Sequence, residues 1–163
     1  MPALAAMLLR AVPAALTLRV MTAADCEALA ALRAEPALGV ELETELVGHL
    51  TRAWVACSGD TGTPLGYLLG WWVVDELQVL ALGVLPSARR QGVARALLEH
   101  AVTAARAAGG RRVTLEVARN NAPARGLYES SGFTLFNVRT AYYRATGEDA
   151  LELQRWLLEP HAG

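Results

Sequence analysis

LQVLALGVLPSARRQGVARALLEHAVTAARAAGGRRVTLEVARNNAPARGLY, residues 77–128, decides how this chain folds. Its opening run, Leu77 to Leu85, is almost wholly apolar and is bounded by Pro86, which suits a buried strand rather than an amphipathic helix. From Gln91 the pattern changes. Ala94, Leu97, Leu98, Ala101, Val102 and Ala105 recur at the three- and four-residue spacing of one helix face, and Gly109 with Gly110 supplies the stop. Arg112 to Val117 returns to period two, with Val113, Leu115 and Val117 on one side and Thr114 and Glu116 on the other. Asn120, Asn121 and Pro123 then open a second helix, because asparagine caps well and proline is tolerated in a first turn; it carries Leu127 and Tyr128 and stops at Gly132.

The turn between the first strand and helix breaks a local rule. A helix N-terminus carries partial positive charge and prefers acids or small polar caps, yet Arg89, Arg90 and Arg95 crowd it and the nearest acid is Glu99. An anion on the free N–H groups of the first turn repairs the mismatch, with Gly92 letting a phosphate approach the backbone closely. A solvated basic turn fits the same residues. Glu116 reads two ways as well: as a strand-end carboxylate in water, or as a partly buried group whose raised pKa suits a general base. Tyr128 is either core packing or a proton donor, since a phenol near pKa 10 can protonate a departing anion.

Upstream of this stretch, a strand is expected at Leu16 to Val20, a helix at Ala23 to Ala34 and a second helix near Glu41 to Leu50. Strands at Arg52 to Cys57 and Leu65 to Val74 lead by short turns into the strand at Leu77, an antiparallel meander running into a parallel part. The fold class is therefore α/β, with a mixed, mostly antiparallel sheet and helices on both faces. Residues 1–16 are apolar enough to suggest a signal peptide but lack a basic start and are interrupted by Arg10, so they read as a flexible extension ahead of a single domain over 17–163.

Composition excludes several classes. The 163 residues carry a net charge of −1, which leaves no footprint for nonspecific nucleic-acid binding. The mean hydropathy of +0.26 owes much to alanine and leucine, and no uninterrupted apolar run reaches membrane-spanning length. Cys26 and Cys57 have no metal-ligand spacing and read as reduced, small apolar fillers of a cytoplasmic protein; no metal is implied. His49, His100 and His161 are scattered and read as surface positions.

The run Val84-Leu85-Pro86 followed by Arg89-Arg90-Gln91-Gly92-Val93-Ala94 resembles the acetyl-coenzyme A signature of the GNAT N-acetyltransferases: Arg or Gln, two residues, Gly, one residue, Gly or Ala. Leu115-Glu116-Val117, Asn121, Leu127-Tyr128-Glu129-Ser130, Gly132-Phe133, Arg139, Tyr142-Tyr143 and Glu148-Asp149-Ala150 are similar to the RimI-like branch of that family, which acetylates the N-terminal alanine of a ribosomal protein. The resemblance runs from about Asp75 to Leu153. It implies a GNAT fold in which two neighbouring parallel strands splay apart, acetyl-coenzyme A as co-substrate, a protein N-terminus as acceptor, and a cytoplasmic enzyme without membrane or nucleic-acid partners, by default a monomer. It implies Glu116 as proton acceptor and Tyr128 as proton donor. It also implies that the main chain of Leu82, Gly83 and Val84 binds the acetyl and pantetheine arm, that Arg89, Arg90, Gln91, Gly92, Val93, Ala94 and Arg95 cradle the pyrophosphate, and that Asn121 touches the cofactor again.

Direct attack of an amine on the thioester fits these residue types, with no acyl-enzyme. The resemblance places a Tyr-rich loop, here Tyr142 and Tyr143, over the acceptor; aromatic packing at a hairpin is the other use of that pair. Glu35, Glu41, Glu43 and Glu45 could attract a basic peptide or simply face solvent, and one of Trp71 and Trp72 could line the groove. The segment Ala34-Glu35-Pro36-Ala37-Leu38 departs from the aromatic-Pro-Trp segment common in the RimI-like branch, which touches acceptor choice rather than the transfer chemistry. Two other classes keep a place: a GNAT enzyme for a small amine, and a non-catalytic acyl-coenzyme A module, for which both Glu116 and Tyr128 would be superfluous.

Overall fold

The computed structural model of the chain describes residues 15–34 and 42–158. In order it forms β1 (Leu16–Val20), α1 (Asp25–Ala28), a 3-10 segment (Ala30–Ala34), α2 (Leu42–Leu46), β2 (Thr51–Ser58), β3 (Pro64–Val73), β4 (Glu76–Val84), a 3-10 turn (Pro86–Ala88), α3 (Val93–Ala107), β5 (Arg112–Ala118), α4 (Ala122–Ser130), β6 (Thr134–Tyr143) and β7 (Glu148–Trp156). The strands make one seven-stranded sheet in the order β1-β2-β3-β4-β5-β7-β6. Every neighbouring pair is antiparallel except β4 and β5, which are parallel. The expected mixed sheet, meander and parallel pair are all present. Residues 1–14, with most of the expected extension, lie outside the described residues, and Leu16 already belongs to β1.

One irregularity in β4 sets the geometry of everything beside it. Leu69 pairs with Ala81 and Gly70 with Val79, which leaves Leu80 as an extra residue, a β-bulge. A one-residue slip exchanges the faces of all side chains beyond it. Leu77 and Val79 pack into the core under α3; past the bulge Leu82 and Val84 turn to that side instead, while Leu80 and Ala81 pack on the opposite one. Gly70 makes room for the distortion, since a Cβ there would stand 2.8 Å from the Gln78 carbonyl oxygen. The parallel ladder with β5 runs from Glu76–Arg112 to Val79–Leu115 and ends where the bulge begins. Beyond that point the two strands have no paired residues, so one edge of Leu82 to Val84 faces a gap.

The sheet carries a core on each face. On one, Leu97, Leu98, Ala101 and Val102 of α3, each 0% exposed, pack with Leu68, Leu77 and Val113. The periodicity was legible in the sequence, but α3 begins at Val93, and Val93 rather than the half-buried Ala94 completes the buried face. On the other face Met21, Leu29, Leu32, Val55, Tyr67 and Leu69 form a second cluster. Helices thus flank the sheet on both sides.

The expected helix Ala23 to Ala34 is divided. After one α-turn, Leu29 leaves the helical region at φ −98° and ψ 9°, and the chain tightens into the 3-10 segment. Three residues per turn stack Leu29 and Leu32 one above the other, which suits a short piece with a single buried edge. Its start is held by Asp25, which accepts from Arg19 Nη2 at 2.7 Å, Arg19 Nη1 at 2.9 Å and the Thr22 amide at 2.8 Å. Those hydrogen bonds, the Arg19 guanidinium first, hold its carboxyl below the ordinary range. The second expected helix, 41–50, is also shorter: Thr51 Oγ1 donates to the Glu45 carbonyl at 2.7 Å and Gly48 turns the chain after α2, while Glu41 lies outside the described residues.

Because Leu98 is fully enclosed between α3 and the sheet, Leu98→Ala is expected to cost about 2–5 kcal/mol of stability. Urea or guanidinium unfolding of the two proteins reads the difference as a shift in midpoint at constant slope.

Candidate active site

Two grooves open on opposite faces of the sheet beside the gap. The first, of about 710 Å³, is walled by Leu82 and Val84 of β4, the Arg89–Arg95 turn and α4 from Asn121 to Tyr128. The bulge at Leu80 is what aims Leu82 and Val84 into it. Arg90 at φ +62° and Gly92 at φ +79° turn the backbone left-handed just before α3, and a Cβ on Gly92 would meet nothing within 4 Å. Gly92 is the N-cap and supplies no side-chain hydrogen bond; the first turn holds no acid. The N–H groups at this end therefore point at open space with a basic rim, the arrangement an anion satisfies. Pyrophosphate fits this cradle.

The arginines divide their work. Arg90 is exposed and makes no hydrogen bond or ion pair among the described residues. Arg89 donates from Nε to the Val84 carbonyl at 3.2 Å, fixing the end of β4. Arg95 lines the groove while reaching Ser130 Oγ at 2.7 Å and Ser131 Oγ at 3.3 Å, so it also ties α3 to the end of α4. Gln91 turns away from the groove, its Nε2 donating to the Ser87 carbonyl at 3.3 Å, and Gly83 is buried in the β3–β4 ladder opposite Tyr67. Asn121 is on the groove wall as expected, and it also caps α4 by accepting from the Ala124 amide at 3.2 Å.

Tyr128 packs against Phe133 in the core under α3, 9% exposed, and borders the same groove. The packing use read from the sequence is met, and the same position borders the groove. Burial pushes its phenol up to about 12, and the neighbouring Tyr143 adds to the shift. It keeps its proton throughout the neutral range.

The second groove, of about 600 Å³, has the opposite face of β4, β5 and β7 as its floor and β6 as its rim. Glu116 stands on that floor. Its side chain is 35% exposed, and among the described residues no helix covers this part of the sheet. Burial nonetheless raises its carboxyl, with the nearby Glu152 adding to the rise and Arg139 opposing it. Glu116 and Glu152 are direct cross-strand partners on β5 and β7. Arg139 of β6 spans them, 3.6 Å from Glu116 and 3.1 Å from Glu152.

Tyr142 and Tyr143 close the rim. They meet edge to face with ring centroids 5.3 Å apart, and the Arg139 guanidinium lies 5.2 Å from the Tyr142 ring centre. Both therefore pack at the hairpin and line the groove at once. Their placement depends on Ala141, whose φ of +52° kinks the strand and whose amide donates to Asp149 Oδ1 at 2.9 Å. Arg119 Nε holds the other carboxylate oxygen at 3.1 Å. Tyr143 is raised by burial first and then by Glu116, and it adds in turn to the rise at Tyr128.

Neither Trp71 nor Trp72 lines this groove: Trp71 Nε1 donates to Glu45 at 3.0 Å and pins α2 to the sheet, while Trp72 packs on the α3-side core. Glu43 and Glu45 are on α2, and Glu35 and Glu41 lie outside the described residues, as does the departure at Ala34-Glu35-Pro36-Ala37-Leu38 beyond its first residue. Sequence reasoning missed Glu152. The alternation Leu151-Glu152-Leu153 put a carboxylate on a polar face, but only the register places it opposite Glu116.

A mixed sheet with a splayed parallel pair, an anion cradle at one side of the splay and a carboxylate-floored groove at the other define a class of acyltransferase. The chain belongs to the acetyltransferase (GNAT) family, whose pattern matches residues 20–133. Over 149 residues it is 34% identical to the N-alpha-acetyltransferase RimI of Mycobacterium tuberculosis, covering 85% of this chain and 91% of that one. Over 81 residues it is 42% identical to the [ribosomal protein bS18]-alanine N-acetyltransferase of Escherichia coli strain K12, covering 48% of this chain and 55% of that one. The match thus spans about half the length of the Escherichia coli relative. The crystal structure of the ribosomal-protein-S18-alanine N-acetyltransferase from Escherichia coli superposes with a TM-score of 0.76 at 26% identity, over 91% of this chain and 98% of that one. Among the described residues no helix is long and apolar enough to cross a membrane.

Asp149→Ala removes the acceptor of the Ala141 amide and one hold on the left-handed kink. Amide hydrogen exchange at Ala141 to Tyr143 is expected to quicken by about tenfold, the equivalent of one hydrogen bond to a charged group, with exchange in α3 unchanged.

Proposed function

We propose that this chain is an acetyl-coenzyme A-dependent N-acetyltransferase acting on the α-amine of a protein N-terminus, in the cytoplasm, with an alanine-initiated ribosomal protein as the acceptor its relatives favour. The observation that carries the reading is the convergence, at one gap in the sheet, of an anion-seeking helix start with a carboxylate-floored groove open to an extended chain. Arg90, Gly92 and the first N–H groups of α3 would hold the pyrophosphate, and the unpaired edge of Leu82 to Val84 would take the pantetheine arm as an added strand takes its neighbour. Bound acetyl-coenzyme A supplies the acetyl group as an activated thioester.

The residues divide the proton work. An α-amine with pKa about 7.7–8.0 is largely protonated at neutral pH and must lose a proton before it attacks. Glu116 would accept that proton, directly or through water, and its raised pKa supports this by making it a better base than a solvated glutamate. Tyr128 remains protonated and is the donor for the leaving thiolate. The attack is direct, within a ternary complex, and holding both reactants across the gap can be worth roughly 7–11 kcal/mol of barrier. Tyr142 and Tyr143 would fold over the first residues of the acceptor.

Incubation of the purified protein with acetyl-coenzyme A and a basic, alanine-initiated peptide is expected to yield peptide acetylated on its α-amine, read by fragment ions in mass spectrometry. Acetylation confined to lysine side chains, or turnover of small amines and not of the peptide, would overturn the acceptor assignment. Tyr128→Phe is expected to bind acetyl-coenzyme A within about twofold of wild type while kcat falls by roughly 10²-fold, the usual size of a lost acid catalyst. Calorimetry and steady-state rates measure the two separately.

A further inference from the structure

The floor of the acceptor groove holds more charge than one proton acceptor requires. Glu116 of β5 and Glu152 of β7 face each other in register, and Arg139 reaches both from β6, but not equally. Its Nε and Nη2 each lie 3.1 Å from Glu152 Oε1, whereas the approach to Glu116 is 3.6 Å. Glu152 is the more enclosed of the two, 13% exposed against 35%, and its other oxygen accepts from Asn137 Nδ2. The Tyr142 ring, 5.2 Å from the guanidinium, also steadies Arg139. The cation therefore hydrogen-bonds Glu152 and makes a longer ion pair with Glu116, which still exerts the larger electrostatic pull on it.

We propose that Glu152 is a positioning residue for the groove's proton acceptor: by holding Arg139 against β7 through a hydrogen bond it keeps that cation from tightening its 3.6 Å ion pair with Glu116 into a hydrogen-bonded one. The inference rests on the assignment of Glu116 as proton acceptor. A full pair would occupy the lone pairs of Glu116 and depress its pKa by one unit or more, making it a poorer base for an amine. With Glu152 in place, Glu116 keeps an open face toward the groove, a like-charged neighbour that raises its proton affinity, and enough cation nearby to limit that rise. The other titratable groups lining the groove are Tyr142, which hydrogen-bonds Glu116, and Tyr143 on β6, Glu76 on β4 and, on its own strand, Arg112. Arg112 is spent on Glu76 at 2.6 Å and Gln154 at 2.7 Å. None of these bridges Glu116 to Glu152.

The two substitutions at this triad pull in opposite directions. Glu152→Gln keeps the shape and hydrogen-bonding of the side chain while removing its charge. It frees Arg139 to pair with Glu116 and deletes the repulsion, so the Glu116 midpoint should fall by roughly one pH unit. Arg139→Gln leaves two carboxylates facing each other, and the higher of their two midpoints should rise by a similar amount. The measurement is a titration by NMR of side-chain carboxyl carbons in ¹³C-glutamate-labelled protein, with Glu116→Gln used to assign the resonance. In the acid limb of kcat/KM, Glu152→Gln is expected to move the midpoint to lower pH with a lower plateau, because the base is active when deprotonated and is now weaker; Arg139→Gln moves it up. A Glu116 midpoint that stays or rises in Glu152→Gln overturns the proposal. Should that variant not fold, Arg139→Gln is decisive alone, and a midpoint that stays or falls there overturns it equally. An acid limb that survives Glu116→Gln overturns the assignment of the base; opposite midpoint shifts seen alongside it still support the mooring of Arg139 by Glu152.

Discussion

The short parallel ladder between β4 and β5 is the constraint on which the rest of the molecule depends. It holds from Glu76–Arg112 to Val79–Leu115 and stops at the bulge of Leu80. A bulge bends its strand and increases the local twist, so the strand cannot continue alongside its partner. The sheet thereby gains an internal edge, with unpaired main chain, between two well-packed cores. An internal edge is costly unless something completes it. Here its place between two grooves makes the cost functional, because an extended ligand can supply the missing partner.

The same bulge links backbone to chemistry by a second route. By reversing the alternation of β4 it sends Leu82 and Val84 toward α3 and α4, and Leu80 toward the acceptor side. The two substrates of a transfer reaction need to meet while most of each is held apart. A sheet that is closed at one end and open at the other provides that geometry. The groups flanking the opening, Glu116 on the floor of one groove and Tyr128 on the wall of the other, differ in surroundings as their proposed roles require: the carboxyl is half-open and raised by burial, the phenol buried and raised to about 12.

Much of this was legible from residues 77–128. The apolar run before Pro86, the three- and four-residue spacing of α3 and the Asn-Pro start of α4 each encode a local structure with few alternatives. The arginine-rich, acid-free turn before α3 pointed to an anion because it contradicted the preference of a helix start, and the structure places Gly92 there with open space above it. The first helix was over-extended because its apolar spacing suits a 3-10 segment as well as an α-helix, and the choice was made by how Leu29 and Leu32 meet the sheet. The fate of Trp71 and Trp72 was equally a matter of tertiary placement, one bonding to Glu45 and the other entering the core.

By itself, the sequence determined the order of the elements from β1 to α4, apart from the division of the first helix, and the acid-free basic turn, because these depend on neighbours only a few residues away. The roles of Glu116 and Tyr128 came from the family resemblance, their local sequence leaving two readings open. The tertiary structure alone decided the register. It placed Glu152 opposite Glu116, brought Arg139 between them from another strand, and ended the β4–β5 ladder at Val79–Leu115. Strand pairing joins residues tens of positions apart through hydrogen bonds that are the same for every side chain, so no local pattern fixes which carboxylate meets which cation. That choice is made only when both cores are packed at once.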